Sequence, residues 1–139
     1  MTKQNITNFG FKEISAVKGK QHSFYDLSIN GVFQLEAFEA ELEANYKSEL
    51  RTIITYMDYC SNGGTLPHTK MKDITPHGET IKEYEFKSKH IRVYGIQQPG
   101  GKLIIFCGYK NSQPSDIVRF RSLKRKFMET PKEHIHGKK

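Results

Sequence analysis

The sequence predicts an α+β fold, a small antiparallel β-sheet of about four strands with two N-terminal helices packed on one face and a C-terminal helix. Three observations predict it. Residues 34–60 hold two segments with apolar residues at helical spacing, residues 81–108 hold three strand-like segments joined by short turns, and residues 115–127 hold a further helical pattern. Short turns favour antiparallel neighbours. The length of 139 residues suits one domain.

The front of the chain predicts an arm, a strand and two helices. Residues 1–20 are polar and weakly patterned, so we expect a loose N-terminal arm before a single domain over residues 21–130. Residues 21–29 alternate as a strand does, and Asn30-Gly31 ends it. A first helix follows, and a second spans about 46–60 until glycines 63 and 64 stop it. Their apolar positions are Leu35, Phe38 and Leu42, then Tyr46, Leu50, Ile53, Ile54 and Met57.

The back of the chain predicts a loop over 65–80, three strands and a helix. The strands cover 81–87, 90–97 and 102–108, with a hairpin turn at 98–101. Ser115 suits the N-cap of the last helix, with Asp116 in its first turn. Pro131 ends that helix, and residues 131–139 are expected to be a flexible tail. Because two helices cover one sheet face, we expect the other face to display lysine and arginine.

Composition excludes several classes of protein. Mean hydropathy is −0.65, and the longest nearly apolar stretch, residues 103–107, is far shorter than the ~20 residues of a membrane helix. The N-terminus lacks the pattern of a signal peptide, so the expected compartment is the cytoplasm. Cys60 and Cys107 form no Cys-x-x-Cys pair and are expected to be reduced, with no metal and no cofactor.

Charge is distributed unevenly along the chain. The net charge is +7, but residues 1–86 carry a net −3 and residues 87–126 carry a net +9 with Asp116 as their single acid. A field this concentrated attracts polyanions. Nucleic acid is the first candidate partner and an acidic protein the second.

Several segments occur in the order and spacing of a known toxin family. They are residues 24–31 (FYDLSING), 35–38 (LEAF), 84–94 (YEFKSKHIRVY), 100–110 (GGKLIIFCGYK) and 113–117 (QPSDI). Over about residues 22–127 the chain resembles the RelE/ParE superfamily of type II toxin–antitoxin toxins, on the HigB and phage-derived branch. That pattern has a strand ending Glu-Leu-Arg, a strand with Arg-Val-Tyr, and Gly-Phe-Lys-Lys before the last helix.

The resemblance implies a toxin that cleaves messenger RNA at the ribosome, without metal, by attack of the 2′-hydroxyl on its neighbouring phosphate. It also implies a cognate antitoxin as partner, for example of the helix-turn-helix type. Charge complementarity with the basic segment further predicts that this antitoxin is acidic. By position, the resemblance implies three catalytic cations. Lys87 matches the Arg of Glu-Leu-Arg, Arg92 matches that of Arg-Val-Tyr and is expected to be a bidentate phosphate ligand, and Lys110 matches the first Lys of Gly-Phe-Lys-Lys. Asn111 replaces the second lysine, which removes one charge from the expected site.

Other site residues are predicted from the residues themselves. His90, two positions before Arg92, is expected on the same strand face and is the best-placed imidazole for acid–base work near neutral pH. Expected RNA contacts are Lys89, Tyr94, Tyr109, Arg119, Arg121, Lys124 and Arg125, with packing under the last helix as the alternative for Tyr94. Two alternatives remain open: a toxin of the same fold that binds a protein such as DNA gyrase, and a non-toxic nucleic-acid-binding module.

Overall fold

Helices cover both faces of a single mixed sheet in a computed structural model that describes residues 8–137. The strands are β1 (Phe9–Glu13), β2 (Ser23–Ile29), β3 (Val32–Phe33), β4 (Met71–Asp73), β5 (Glu83–Lys87), β6 (Ile91–Gln98), β7 (Gly101–Tyr109) and β8 (Ile135–Gly137). The α-helices are α1 (Gln34–Glu41), α2 (Ala44–Ser61) and α3 (Gln113–Glu129), and 3-10 turns cover Lys110–Ser112 and Lys132–His134.

The strand order is β4-β5-β6-β7-β2-β1-β8, and β3 pairs with β2 beside this path. Strands β4 to β7 are antiparallel neighbours, because short turns join β5 to β6 and β6 to β7. Gly100, with a φ of 80°, supplies the left-handed residue of the second turn. Parallel pairing of β2 with β7 and of β8 with β1 makes the sheet mixed.

Each face of the sheet has its own hydrophobic core. The α1/α2 side is built from Phe24, Leu35, Leu42, Leu50, Ile53, Ile54, Met57, Phe86, Ile91, Val93 and Ile104. The α3 side is built from Phe9, Leu27, Tyr94, Ile96, Leu103, Ile105, Phe120, Leu123 and Phe127. Alternating residues of β6 and β7 enter opposite cores, so these two strands read as nearly continuous apolar segments.

Polar side chains anchor the helices to the sheet. The buried carboxylate of Asp26 on β2 accepts the backbone N–H groups of Leu35 (2.8 Å) and Glu36 (3.1 Å) in the first turn of α1. A carboxylate at a helix N-terminus satisfies amides that have no partner inside the helix. At the start of α3, Asp116 packs over Gly108, where a Cβ atom would clash with the Asp116 carboxylate. A side chain at residue 108 would therefore push α3 away from the sheet.

The predicted fold class is wrong in the sheet. The structure has eight strands in a mixed sheet, where about four antiparallel strands were expected. The expected arm contains β1, the expected loop contains β4, and the expected tail contains β8. These strands are short, and β8 is held by pairing with β1 at the other end of the chain, which no local pattern reveals. Residues 1–7 of the arm and 138–139 of the tail lie outside the described residues.

Two expectations about α3 are also wrong. The helix begins at Gln113, so Ser115 lies inside it and the preceding 3-10 turn takes the place of a side-chain N-cap. The face expected to be open is the one that α3 covers. Within residues 8–137, no helix combines the length and apolar character needed to cross a membrane.

Candidate functional site

Of the three cations that the resemblance places in the site, Lys110 is exposed and Lys87 is half-buried, but Arg92 is buried. Lys87 and Arg92 are register partners on β5 and β6, as a shared site would require, but Arg92 is only 7% exposed. Its Nη1 donates to the carbonyl oxygens of Ser88 (2.6 Å) and Ile91 (2.9 Å). The prediction that Arg92 is an exposed phosphate ligand is therefore wrong, because the guanidinium stabilises the turn between β5 and β6 from inside.

Three predicted RNA contacts are structural instead. Tyr94 is fully buried and stacks on Phe120 of α3 at 5.4 Å. Lys124 is 5% exposed, and its ammonium lies 2.8 Å from the Glu83 carboxylate on β5. Arg121 donates to the same carboxylate at 2.9 Å. The prediction is wrong for Tyr94 and Lys124, which cannot reach a nucleic acid, and Arg121 is held by Glu83.

The remaining predicted residues lie at the surface. Lys89, Lys110, Arg119 and Arg125 are exposed, Lys87 is half-buried, and Tyr109 is 37% exposed. Among residues 8–137 none of these five cations forms an ion pair. Arg119 lies over the Phe106 ring at 5.7 Å. Lys87, Lys89 and Lys110 all lie at the end of the sheet where β6 begins and β7 ends.

At that end, Glu49 of α2 holds His90. The carboxylate lies 2.6 Å from the imidazole Nδ1 and also accepts the backbone N–H of His90 at 2.8 Å. The Ser88 hydroxyl donates to the same carboxylate at 2.5 Å. Two hydrogen bonds to one residue fix the imidazole relative to the chain, and the His90 side chain is still 46% exposed.

The electrostatics of Glu49 decide which imidazole nitrogen carries the proton. Partial burial raises the pKa of Glu49, but hydrogen bonds from Ser88 and His90 outweigh burial, and the net effect is a pKa below the usual value. Glu49 is therefore a carboxylate at neutral pH and can only accept hydrogen bonds. The Nδ1 atom must then be the donor, which leaves Nε2 free to exchange a proton with a ligand.

One aromatic ring packs against the imidazole, and two further rings continue from it. Tyr46 of α2 lies edge-on to His90 at 5.4 Å and to Tyr109 at 5.6 Å, and Phe38 of α1 lies 5.7 Å from Tyr109. The backbone N–H of Lys110 donates to the His90 carbonyl at 2.8 Å, so the backbone of Lys110 lies directly beside that of His90. The expectation that His90 shares a sheet face with Arg92 is wrong. The His90 ring contacts Glu49 and Tyr46 of α2, whereas Arg92 lies between Ile91 and Val93, which face α1 and α2, and therefore faces the other side of the sheet.

Sequence reasoning missed Glu49. Glu49 directly precedes Leu50, which belongs to the apolar stripe of α2. In the sequence it is one of several glutamates between residues 36 and 49. Its position in the sequence carried one signal: a glutamate directly before a buried residue of an amphipathic helix lies at the border of the buried face. Only the tertiary fold brings it to His90, which is 41 residues away.

The group Glu49, His90, Lys110 and Tyr109 can perform one kind of chemistry. An oriented imidazole transfers protons near neutral pH, nearby ammonium groups attract a phosphodiester, and an exposed ring offers a stacking surface. Nothing in residues 8–137 brings three or more His, Cys, Asp or Glu side chains together as metal ligands. Comparison with models of known protein families, with curated proteins and with solved structures found no match in any of the three.

Proposed function

We propose that this protein is a metal-independent endoribonuclease with His90 as its proton-transferring residue, and that it acts as the toxin of a toxin–antitoxin module. The observation that carries the proposal is the 2.6 Å contact between Glu49 and the Nδ1 atom of an exposed His90. The resemblance of residues 22–127 to the RelE/ParE superfamily supplies the toxin class. Translation is the expected target, through messenger RNA in the ribosome.

The reaction needs an internal nucleophile and a proton carrier. The 2′-oxygen of a ribose attacks the adjacent phosphorus, the bond from phosphorus to the 5′-oxygen breaks, and a 2′,3′-cyclic phosphate and a 5′-hydroxyl form. His90 takes the 2′-proton at Nε2, the leaving 5′-oxygen takes a proton from solvent water, and the imidazolium then releases its proton to solvent. Glu49 stabilises the imidazolium that forms, and its fixed hydrogen bonds need no rearrangement during the step.

The surface around His90 suits a polyanion. Lys89 and Lys110 are exposed next to it and Lys87 is half-buried at the same sheet end. Cations at such a surface attract the phosphate backbone without reading sequence. The cognate antitoxin is expected to be acidic, or to carry an acidic segment, because charge complementarity would direct it to the same surface.

The decisive experiment compares His90→Ala with His68→Ala, a matched change at an exposed histidine in the loop before β4. We expect His90→Ala to slow RNA cleavage by about 10²- to 10⁴-fold, the usual loss for one general acid–base group. Glu49→Gln should give a smaller loss, and His68→Ala none. The measurement is gel analysis of a synthetic RNA and of messages on ribosomes, with the wild type and the three variants purified identically and checked by circular dichroism.

Two outcomes would overturn the proposal. One is cleavage by folded His90→Ala at the wild-type rate. The other is RNA binding by the wild type with no cleavage on or off the ribosome, which would favour a nucleic-acid-binding module. Induced expression in cells, with translation and DNA supercoiling followed separately, tests the toxin assignment: arrest through supercoiling alone would point to a gyrase-binding toxin instead.

A further inference from the structure

A groove of about 470 Å³ opens on the α3 side of the sheet, at the opposite end of β6 from His90. Since a strand rises ~3.3 Å per residue, the two places are roughly 25 Å apart. Its mostly apolar lining includes Phe11, Tyr25, Leu103, Phe127, Met128 and Ile135. This groove is independent of the site proposed for RNA cleavage.

The groove exists because α3 is too short to cover its side of the sheet. Phe127 in the last turn of α3 packs edge-on against Phe9 at 5.7 Å, and the helix ends at Glu129. Beyond that point Phe11 and Tyr25 lie in the same core layer but are only half-buried. They pack edge-on against each other at 5.3 Å, which forms an aromatic floor.

The chain that leaves α3 builds one wall of the groove. It crosses through the 3-10 turn of Lys132–His134 and returns as β8 beside β1. Met128 is 46% exposed and lines the groove from the C-terminal end of α3. A cavity of a few hundred Å³ with mostly apolar walls and few polar groups is the common form of a small-molecule site.

The charge of the lining selects the sign of the ligand. Lys132 is the single charged residue among those that line the groove, and no acid lines it. Glu13, at the end of β1, is exposed and lies outside the lining. Within residues 8–137, Lys132 forms no ion pair. An apolar floor beside one unpaired ammonium group is complementary to an amphipathic anion.

We propose that this groove binds a small amphipathic carboxylate, with its apolar body on Phe11 and Tyr25 and its carboxylate at Lys132. The apolar contact supplies most of the affinity, because burial of apolar surface stabilises a complex more than one exposed ion pair does. The ion pair supplies the preference for an anion over a neutral molecule of the same shape.

Decanoate, below its micellar concentration, and decanamide as the neutral analogue test this directly by two-dimensional NMR titration of the full chain. We expect saturable decanoate binding, with chemical-shift changes at Phe11, Tyr25 and Met128. Lys132→Gln should weaken decanoate about two- to fivefold, the equivalent of one exposed ion pair, and leave decanamide unchanged. Lys72→Gln, at an exposed lysine on β4, is the matched control and should change neither affinity.

Met128→Asp is a second variant that should leave the hydrophobic core intact, because the Met128 side chain is already about half exposed. It should weaken decanoate more than decanamide. Absence of saturable shifts in the groove would overturn the proposal, as would equal affinities of decanoate and decanamide in both the wild type and Lys132→Gln. Either result leaves the ribonuclease assay with His90→Ala unaffected.

Discussion

Under α3, carboxylates and cations are buried together, whereas at the start of β6 a carboxylate and an imidazole meet at the surface. Glu83 is 1% exposed and is shared by Lys124 and Arg121. Glu49 instead contacts His90 at 2.6 Å, and about half of the His90 side chain remains exposed to solvent. Both arrangements use the residue types that sequence patterns associate with function. Burial makes the first a structural link between α3 and β5, and exposure leaves the second free to meet a ligand.

The largest expected effect comes from Glu83→Gln, which leaves the buried Lys124 without its main partner. Breaking a buried ion pair from one side costs ~3–5 kcal/mol, because the remaining charge is left uncompensated. Glu79→Gln is the matched control: Glu79 contacts the same ammonium at 3.3 Å but is 54% exposed, so its loss should cost under about 1 kcal/mol. Urea unfolding measures both, and equal losses would contradict the comparison.

Asp26 extends the comparison to pH. Burial raises the pKa of Asp26 from 3.8 to about 6, against the lowering effect of the Leu35 and Glu36 amides. Between pH 4 and 6 the folded protein therefore binds more protons than the unfolded chain, so the free energy of unfolding falls as pH rises. The fall from this group is about 3 kcal/mol and should be missing in Asp26→Asn.

Asp73 is the control with the opposite sign. Hydrogen bonds from Thr75 hold the pKa of this exposed carboxylate below its usual value. The contribution of Asp73 to the free energy of unfolding is fully present above the ordinary pKa of aspartate. It is lost as pH falls through the lowered pKa of the folded state. Thermal unfolding of Asp26→Asn and Asp73→Asn across pH 3–7 measures both trends. Stability curves of Asp26→Asn and wild type that run parallel over this range would contradict the assignment for Asp26.

The smallest expected effect separates Arg119, which is exposed, from Arg92, which is buried. Arg119→Ala should lower the salt slope of RNA binding by about one unit, if its guanidinium contacts one phosphate. Arg92→Ala should leave that slope unchanged and lower stability, because the carbonyl oxygens of Ser88 and Ile91 lose their donor. Fluorescence anisotropy with 2′-O-methyl RNA measures both slopes without cleavage. An equal drop for the two variants would show that Arg92 reaches the backbone.

Local patterns predicted the helices and the three strands β5, β6 and β7 well, because their periodicity and turn residues lie within short windows. The pattern of 84–94 placed β5 and β6 and their turn, and that of 46–60 placed α2 within a few residues. The sheet was underestimated because β1, β4 and β8 are short and β8 depends on long-range pairing. The burial of Arg92 and Lys124 was missed because charge in a sequence does not show which glutamate or carbonyl lies opposite.

The candidate site was predicted only in part, because local patterns locate some of its residues and long-range packing brings in the others. His90 and Lys110 lie close in space because β6 and β7 pair locally, which the hairpin pattern implies. Glu49 comes from another element, and its approach to His90 depends on how α2 packs across the sheet. A partner brought by packing leaves no spacing in the sequence to detect.

The short strands at the two borders of the sheet have a consequence for solubility. Within the described residues, β4 and β8 each contribute three residues to an edge, and β4 bears the exposed Lys72 and Asp73. An edge of that length offers few free backbone amides to another chain. Charged side chains on it also disfavour pairing with a strand of another molecule. A wide sheet can thus remain protected from edge-to-edge aggregation.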